Sequence, residues 1–158
     1  GDDFNEALLK SLISVGFKLP KKTILLSTGP LESKVDFLES TKVLRELNYK
    51  FYATGGTARF MKENGIESEV LHWPSEKKET NVISYIVDKK IDLVINIPKS
   101  AETKELDNDY IIRRKAVDFD IPLITNITFA KRLVEAIRDV KLEDLKADSW
   151  DTYKNNIT

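Results

Sequence analysis

The chain has 158 residues, a length at which one compact domain with a single core is the default and roughly 70% of the unfolded surface is buried on folding. Its 25 Lys and Arg nearly balance 26 Asp and Glu, so there is no net basic field to hold a nucleic-acid backbone, and the lack of cysteine excludes disulfides, thiolate metal sites and cysteine nucleophiles. The longest apolar runs, such as Ile91 to Ile97 with Asp92 inside it, fall far short of the roughly 20 residues of a membrane helix. A soluble chain is expected, with no membrane and no nucleic acid among its partners, and no basic segment leads into an apolar one at the start as a secretion signal requires.

Leu8, Leu9, Leu12 and Ile13 recur at helical spacing and stop before Gly16, which predicts an amphipathic helix over 4–15 and divides a leading helix and linker, 1–20, from a main domain, 21–158. Thr23 to Leu26 is short, apolar and bounded by Gly29-Pro30, as a buried strand is. Phe37, Leu38, Thr41, Leu44 and Leu47 share one helical face. An extended run, Tyr49 to Ala53, leads into Gly55-Gly56 and a short helix that carries Phe60 and Met61 and ends at Asn64-Gly65. Ile66 to Leu71 is a weaker strand. Val82, Ile83 and Ile86 mark a helix, Ile91 to Ile97 and Ile121 to Ile127 read as the strongest buried strands, and a helix around Tyr110 to Val117 separates them. Ala130, Leu133, Val134 and Ile137 add another helix, after which Leu142, Leu145, Trp150 and Tyr153 suit a docking tail. This alternation predicts an α/β fold: a Rossmann-like three-layer α/β/α arrangement around a five-stranded parallel sheet.

Thr28, Thr54, Asn96 and Asn126 each close an apolar run, and in a parallel sheet such ends share the edge toward which helix N-termini point, so they are expected to converge on one crevice. Ala53-Thr54-Gly55-Gly56-Thr57-Ala58 is the most specific segment: two glycines allow a sharp turn, and threonine hydroxyls sit where a helix begins, which suits a phosphate or carboxylate. Lys34 stands in the first turn of its helix, where the dipole disfavours a cation and an anionic partner would relieve it. Arg113 or Arg114 is placed to pair with Asp109 or Asp118. Trp73 either walls the crevice or packs the sheet edge, and His72, the only histidine, has no evident carboxylate partner and is read as structural. No G-x-x-x-x-G-K-[ST] loop, G-x-G-x-x-G fingerprint or metal-ligand spacing occurs, so no catalytic residue and no metal ligand is assigned.

Gly16-Phe17-Lys18-Leu19-Pro20-Lys21-Lys22, the Ala53 to Thr57 turn, Ile91-Asp92-Leu93-Val94-Ile95-Asn96 and Tyr110-Ile111-Ile112-Arg113-Arg114 together resemble methylglyoxal-synthase-like domains, within them the allosteric domain of the carbamoyl-phosphate synthetase large chain. The resemblance implies a module that is not itself catalytic, with no cofactor of its own, beside synthetase domains that use ATP and Mg or Mn and a glutaminase subunit or domain. It implies a cytoplasmic parent, or a mitochondrial one of urea-cycle type. It places an anionic small-molecule effector on Lys34, Thr54, Gly55, Gly56, Thr57 and Asn96, with Arg113, Thr125 and Asn126 as a relay or second effector site. Trp73-Pro74-Ser75 is similar to the urea-cycle type, which binds N-acetylglutamate, whereas Lys99 and Asp109 stand where that type has asparagines, Asn108 lying beside the latter. Both a nucleotide of the uridine or inosine monophosphate kind and N-acetylglutamate therefore remain open as effectors. The alternative is a stand-alone lyase like methylglyoxal synthase, which needs a glycine-rich acidic loop where this chain has His72 to Thr80 without glycine or aspartate.

Overall fold

The computed structural model describes residues 1–76, 78–99, 103–141, 143 and 145. Five strands, β1 (Thr23–Thr28), β2 (Lys50–Thr54), β3 (Glu69–Leu71), β4 (Leu93–Ile97) and β5 (Leu123–Ile124), pair in parallel in the order β3-β2-β1-β4-β5. The chain thus starts in the middle of the sheet, builds outward on one side, and returns to β1 to build the other. That reversal leaves a gap between successive crossovers at the carboxyl ends of β1 and β4, the usual place for a ligand in an open α/β sheet.

Six helices, α1 (Phe4–Ser14), α2 (Leu31–Glu46), α3 (Gly55–Glu63), α4 (Val82–Val87), α5 (Thr103–Asp118) and α6 (Ile127–Asp139), cover the sheet. Alternation along each strand divides the core in two. Ile24, Leu26, Phe51, Ala53, Leu93 and Ile95 face α1, α2, α3 and α6, while Leu25, Val94 and their neighbours face α4 and α5. The leading helix belongs to the first of these cores: Leu9 is fully buried in it, and Asn5 Nδ2 donates to Asp139 Oδ2 of α6 at 3.0 Å.

Three boundaries differ from the sequence reading. The run Ile121 to Ile127 gives only a two-residue strand, because the side chain of Asn126 accepts the N–H of Phe129 and starts α6 at Ile127. An apolar run does not by itself say where extended chain gives way to helix. Helix α5 begins at Thr103, well before Tyr110, since its polar first turns show no apolar stripe in sequence. Gly55 and Gly56 make no left-handed turn; they are ordinary helical residues at the start of α3, and the positive φ values fall at Gly16 and Gly65, just past α1 and α3. Leu145 packs against the larger core, and Leu142, Trp150 and Tyr153 lie outside the described residues.

Candidate functional site

At the carboxyl edge of the sheet a crevice of about 420 Å³ is lined by Ser27, Thr28 and Gly29 from the end of β1, Lys34 of α2, Thr54 of β2, Gly56 and Thr57 of α3, Trp73, Lys99 and Asp109. Its size lies within the roughly 300–1,000 Å³ of small-molecule sites. Seven residues singled out from sequence therefore meet here: Lys34, Thr54, Gly56, Thr57, Trp73, Lys99 and Asp109.

The others lie elsewhere. Gly55 is exposed at the first position of α3 and is not on the wall. Asn96 is fully buried behind the wall and reaches the crevice only through Asp109, to whose Oδ1 its Nδ2 donates at 2.7 Å. Asn126 is exposed and serves as the α6 cap, so the expectation that four strand ends converge holds for Thr28 and Thr54, in part for Asn96, and fails for Asn126. Arg113 is half-buried on α5, Thr125 is exposed, and neither lines the crevice; the helical pair that forms is Arg114 with Asp118, 3.0 Å apart.

Hydroxyls knit the floor of the crevice. Thr54 Oγ1 donates to Ser27 Oγ at 3.2 Å, and Thr57 Oγ1 both accepts from the Thr28 N–H and donates to the Thr28 carbonyl, each at 3.1 Å. The start of α3 is thereby tied to β1. Because its hydroxyl is turned to Ser27, Thr54 caps α3 without giving a side-chain acceptor to the first-turn amides, and Pro30, the cap of α2, has no such acceptor. By contrast Asp3, Asn81 and Asn126 cap α1, α4 and α6 with side-chain hydrogen bonds. The two helices that open at the crevice are thus the two whose described caps leave first-turn N–H groups to another acceptor.

Lysines reinforce that positive end. Lys34 Nζ donates to the Gly29 carbonyl at 2.8 Å, and a Cβ built on Gly56 would lie 4.0 Å from the same ammonium, so the charge stands beside the start of α3. A Cβ on Gly29 would fall 2.6 Å from the Lys99 nitrogen, so only glycine lets the β1–α2 and β4–α5 loops approach this closely.

Across the crevice, Asn108 holds the Trp73 loop on α5. Its Oδ1 accepts from Ser75 N–H and its Nδ2 donates to Ser75 Oγ, both at 3.1 Å. Glu76 Oε2 accepts from the Trp73 N–H at 2.9 Å and lies 3.0 Å from His72 Nδ1. His72 therefore has a carboxylate partner, four residues ahead in a 3-10 turn (Pro74–Glu76), and Trp73 both walls the crevice and packs on the second core. Ser27, Gly29 and Asn108 were missed by sequence reasoning. Ser27 was legible in principle, since two successive polar residues ending a strand face both layers of the fold.

Residues 36–125 match the family model described as MGS-like domain. The chain belongs to the MGS-like domain family. Among curated relatives of this MGS-like domain, multifunctional protein URA2 of Saccharomyces cerevisiae is 38% identical over 159 residues, covering 94% of this chain and 7% of that protein. Multifunctional protein CAD of Squalus acanthias is 37% identical over 152 residues, 87% of this chain and 7% of that protein. The human protein named carbamoyl-phosphate synthase [ammonia], mitochondrial, is 36% identical over 152 residues, 93% of this chain and 10% of that protein. The MGS-like domain thus spans a tenth or less of these relatives. In fold it is similar to a crystal structure of methylglyoxal synthase from Elizabethkingia anophelis NUHP1, with a TM-score of 0.53 and 16% identity over 85% of this chain and 90% of that one. No helix among the described residues is long and apolar enough to cross a membrane.

Proposed function

We propose that this MGS-like domain is the effector-binding regulatory module of a carbamoyl-phosphate synthetase large chain and that its crevice takes an anionic small molecule. The observation that carries the reading is the meeting, at one sheet edge, of two helix starts without side-chain caps and the ammonium of Lys34, with Lys99 on the same wall. Helix dipoles and lysines of one sign favour an anion there. The named carbamoyl-phosphate synthase relative supports the parent enzyme, whose ATP-dependent chemistry and glutaminase belong to other domains or subunits in this reading.

Regulation requires the effector to prefer one state of the parent enzyme. Helix α5 is suited to transmit that preference, because it carries Asn108 and Asp109 toward the crevice and Tyr110 and Ile111 toward solvent. The proposed relay runs from Asn96 through Asp109 and the α5 turn bearing Arg113 toward Thr125.

Thermal unfolding with inorganic phosphate, uridine monophosphate and N-acetylglutamate tests the site. A ligand at about 100 times its Kd adds about 2.7 kcal/mol, which for a chain of this size is a rise in Tm of about 5–10 °C. Lys34→Ala is expected to weaken that ligand about tenfold or more. Absence of any shift with all three anions, or an equal shift in Lys34→Ala, sinks the reading.

A further inference from the structure

Resting on the anion-site reading above, we propose that Asp109 sets the specificity of the crevice, selecting a phosphate monoester that carries neighbouring hydroxyl groups over a dicarboxylate. The walls of the crevice make opposite demands. Lys34 and Gly56 come from helices on one face of the sheet, whereas Asp109 comes from α5 on the other, so a ligand lying over the sheet edge meets positive charge at one end and a carboxylate at the other.

Asp109 is only 3% exposed, and its neighbour reports its charge state. Asn96 turns its Nδ2 to Asp109 Oδ1 at 2.7 Å and leaves its own Oδ1 buried with no hydrogen-bond partner. A neutral carboxyl would donate its O–H to that amide oxygen, and the amide would satisfy an acceptor by turning round. The arrangement observed is the one an ionised carboxylate imposes, since such a group only accepts. An ionised carboxylate has about four lone-pair positions, and Asn96 uses one of them. Ligand hydroxyls can donate to the remaining capacity. A second ligand carboxylate would instead bring like charge against a buried one, which strongly disfavours it.

Isothermal titration of the chain and of Asp109→Asn decides the matter. The substitution is isosteric and keeps an oxygen to accept from Asn96, and a circular-dichroism melt checks that it folds. In the unmodified chain ribose 5-phosphate is expected to bind about tenfold more tightly than inorganic phosphate, with N-acetylglutamate weaker than both. In Asp109→Asn, ribose 5-phosphate and uridine monophosphate are expected to lose about tenfold by the same factor, because they share the hydroxyls, while inorganic phosphate is unchanged and N-acetylglutamate gains about tenfold. If inorganic phosphate binds both chains but the ratio of sugar phosphate to dicarboxylate does not move, Asp109 is not the selector and the anion site stands. If no phosphate binds the unmodified chain, the site itself falls and this inference with it.

Discussion

Gly29→Ala tests how closely the two loops at the crevice are packed. The new Cβ would lie 2.6 Å from the Lys99 nitrogen, 2.8 Å from its Cγ and 3.0 Å from its Cα, where ordinary contact begins near 3.4 Å, so backbone has to give by up to about 0.8 Å. It resists doing so, because Gly29 N–H is bonded to the Ile97 carbonyl at 2.8 Å, just ahead of Lys99. Overpacking of this kind costs about 1–3 kcal/mol, a fall in Tm of about 2–12 °C for a chain of this length. The displaced segment carries Lys99, so phosphate affinity drops in the same variant. Gly55→Ala is the control: nothing lies within 4 Å of its Cβ and its φ is not left-handed, so a less flexible unfolded chain raises stability by about 0.4–1 kcal/mol. Scanning calorimetry of both variants, with and without phosphate, reads the outcome. A Gly29→Ala melt coincident with the parent, or a Gly55→Ala fall as large, refutes the close-approach argument.

Two further outcomes follow from the packing. Leu9→Ala removes a fully buried side chain of α1 from the larger core and is expected to lower stability by about 2–5 kcal/mol in denaturant titration; a loss below about 0.5 kcal/mol means that α1 is not part of the cooperative unit. Tyr49, whose hydroxyl donates to the Pro20 carbonyl at 2.9 Å, has its pKa raised, first by burial and then by the charge of Asp92. Its stabilising contribution is therefore complete below the ordinary tyrosine pKa of about 10 and declines as pH rises from there through the higher folded value. Tyr49→Phe is expected to cost about 0.5–1.5 kcal/mol at neutral pH and to flatten part of the alkaline decline, measured by urea titration from pH 8 to 11. An unchanged alkaline slope removes Tyr49 from that account.

Much of the architecture was legible because periodicity is a local property. The alternation of short apolar runs with helical stripes predicted the parallel sheet and its helices, and Gly16 and Gly65 marked two helix ends. Boundaries resisted where a side chain outside the apolar pattern made the decision, as Asn126 does by capping α6 and shortening β5. The crevice was legible as a set of strand ends and one glycine-rich helix start, and it took in Lys34, Thr54, Thr57, Trp73, Lys99 and Asp109. It was not legible that the hydroxyls of Thr54 and Thr57 are committed to Ser27 and Thr28, since those partners are 27 and 29 residues away in the chain.

By itself, then, the amino-acid sequence determined the class of fold, its near-neutral charge and the residues able to meet an anion, since each depends on composition or on spacing along one segment. Tertiary structure alone decided which of them share a wall. The strand order set Lys34 beside Gly56, put Asp109 opposite them behind Asn96, and brought Gly29 against Lys99. Those proximities arise from crossovers between distant segments, which no local pattern encodes.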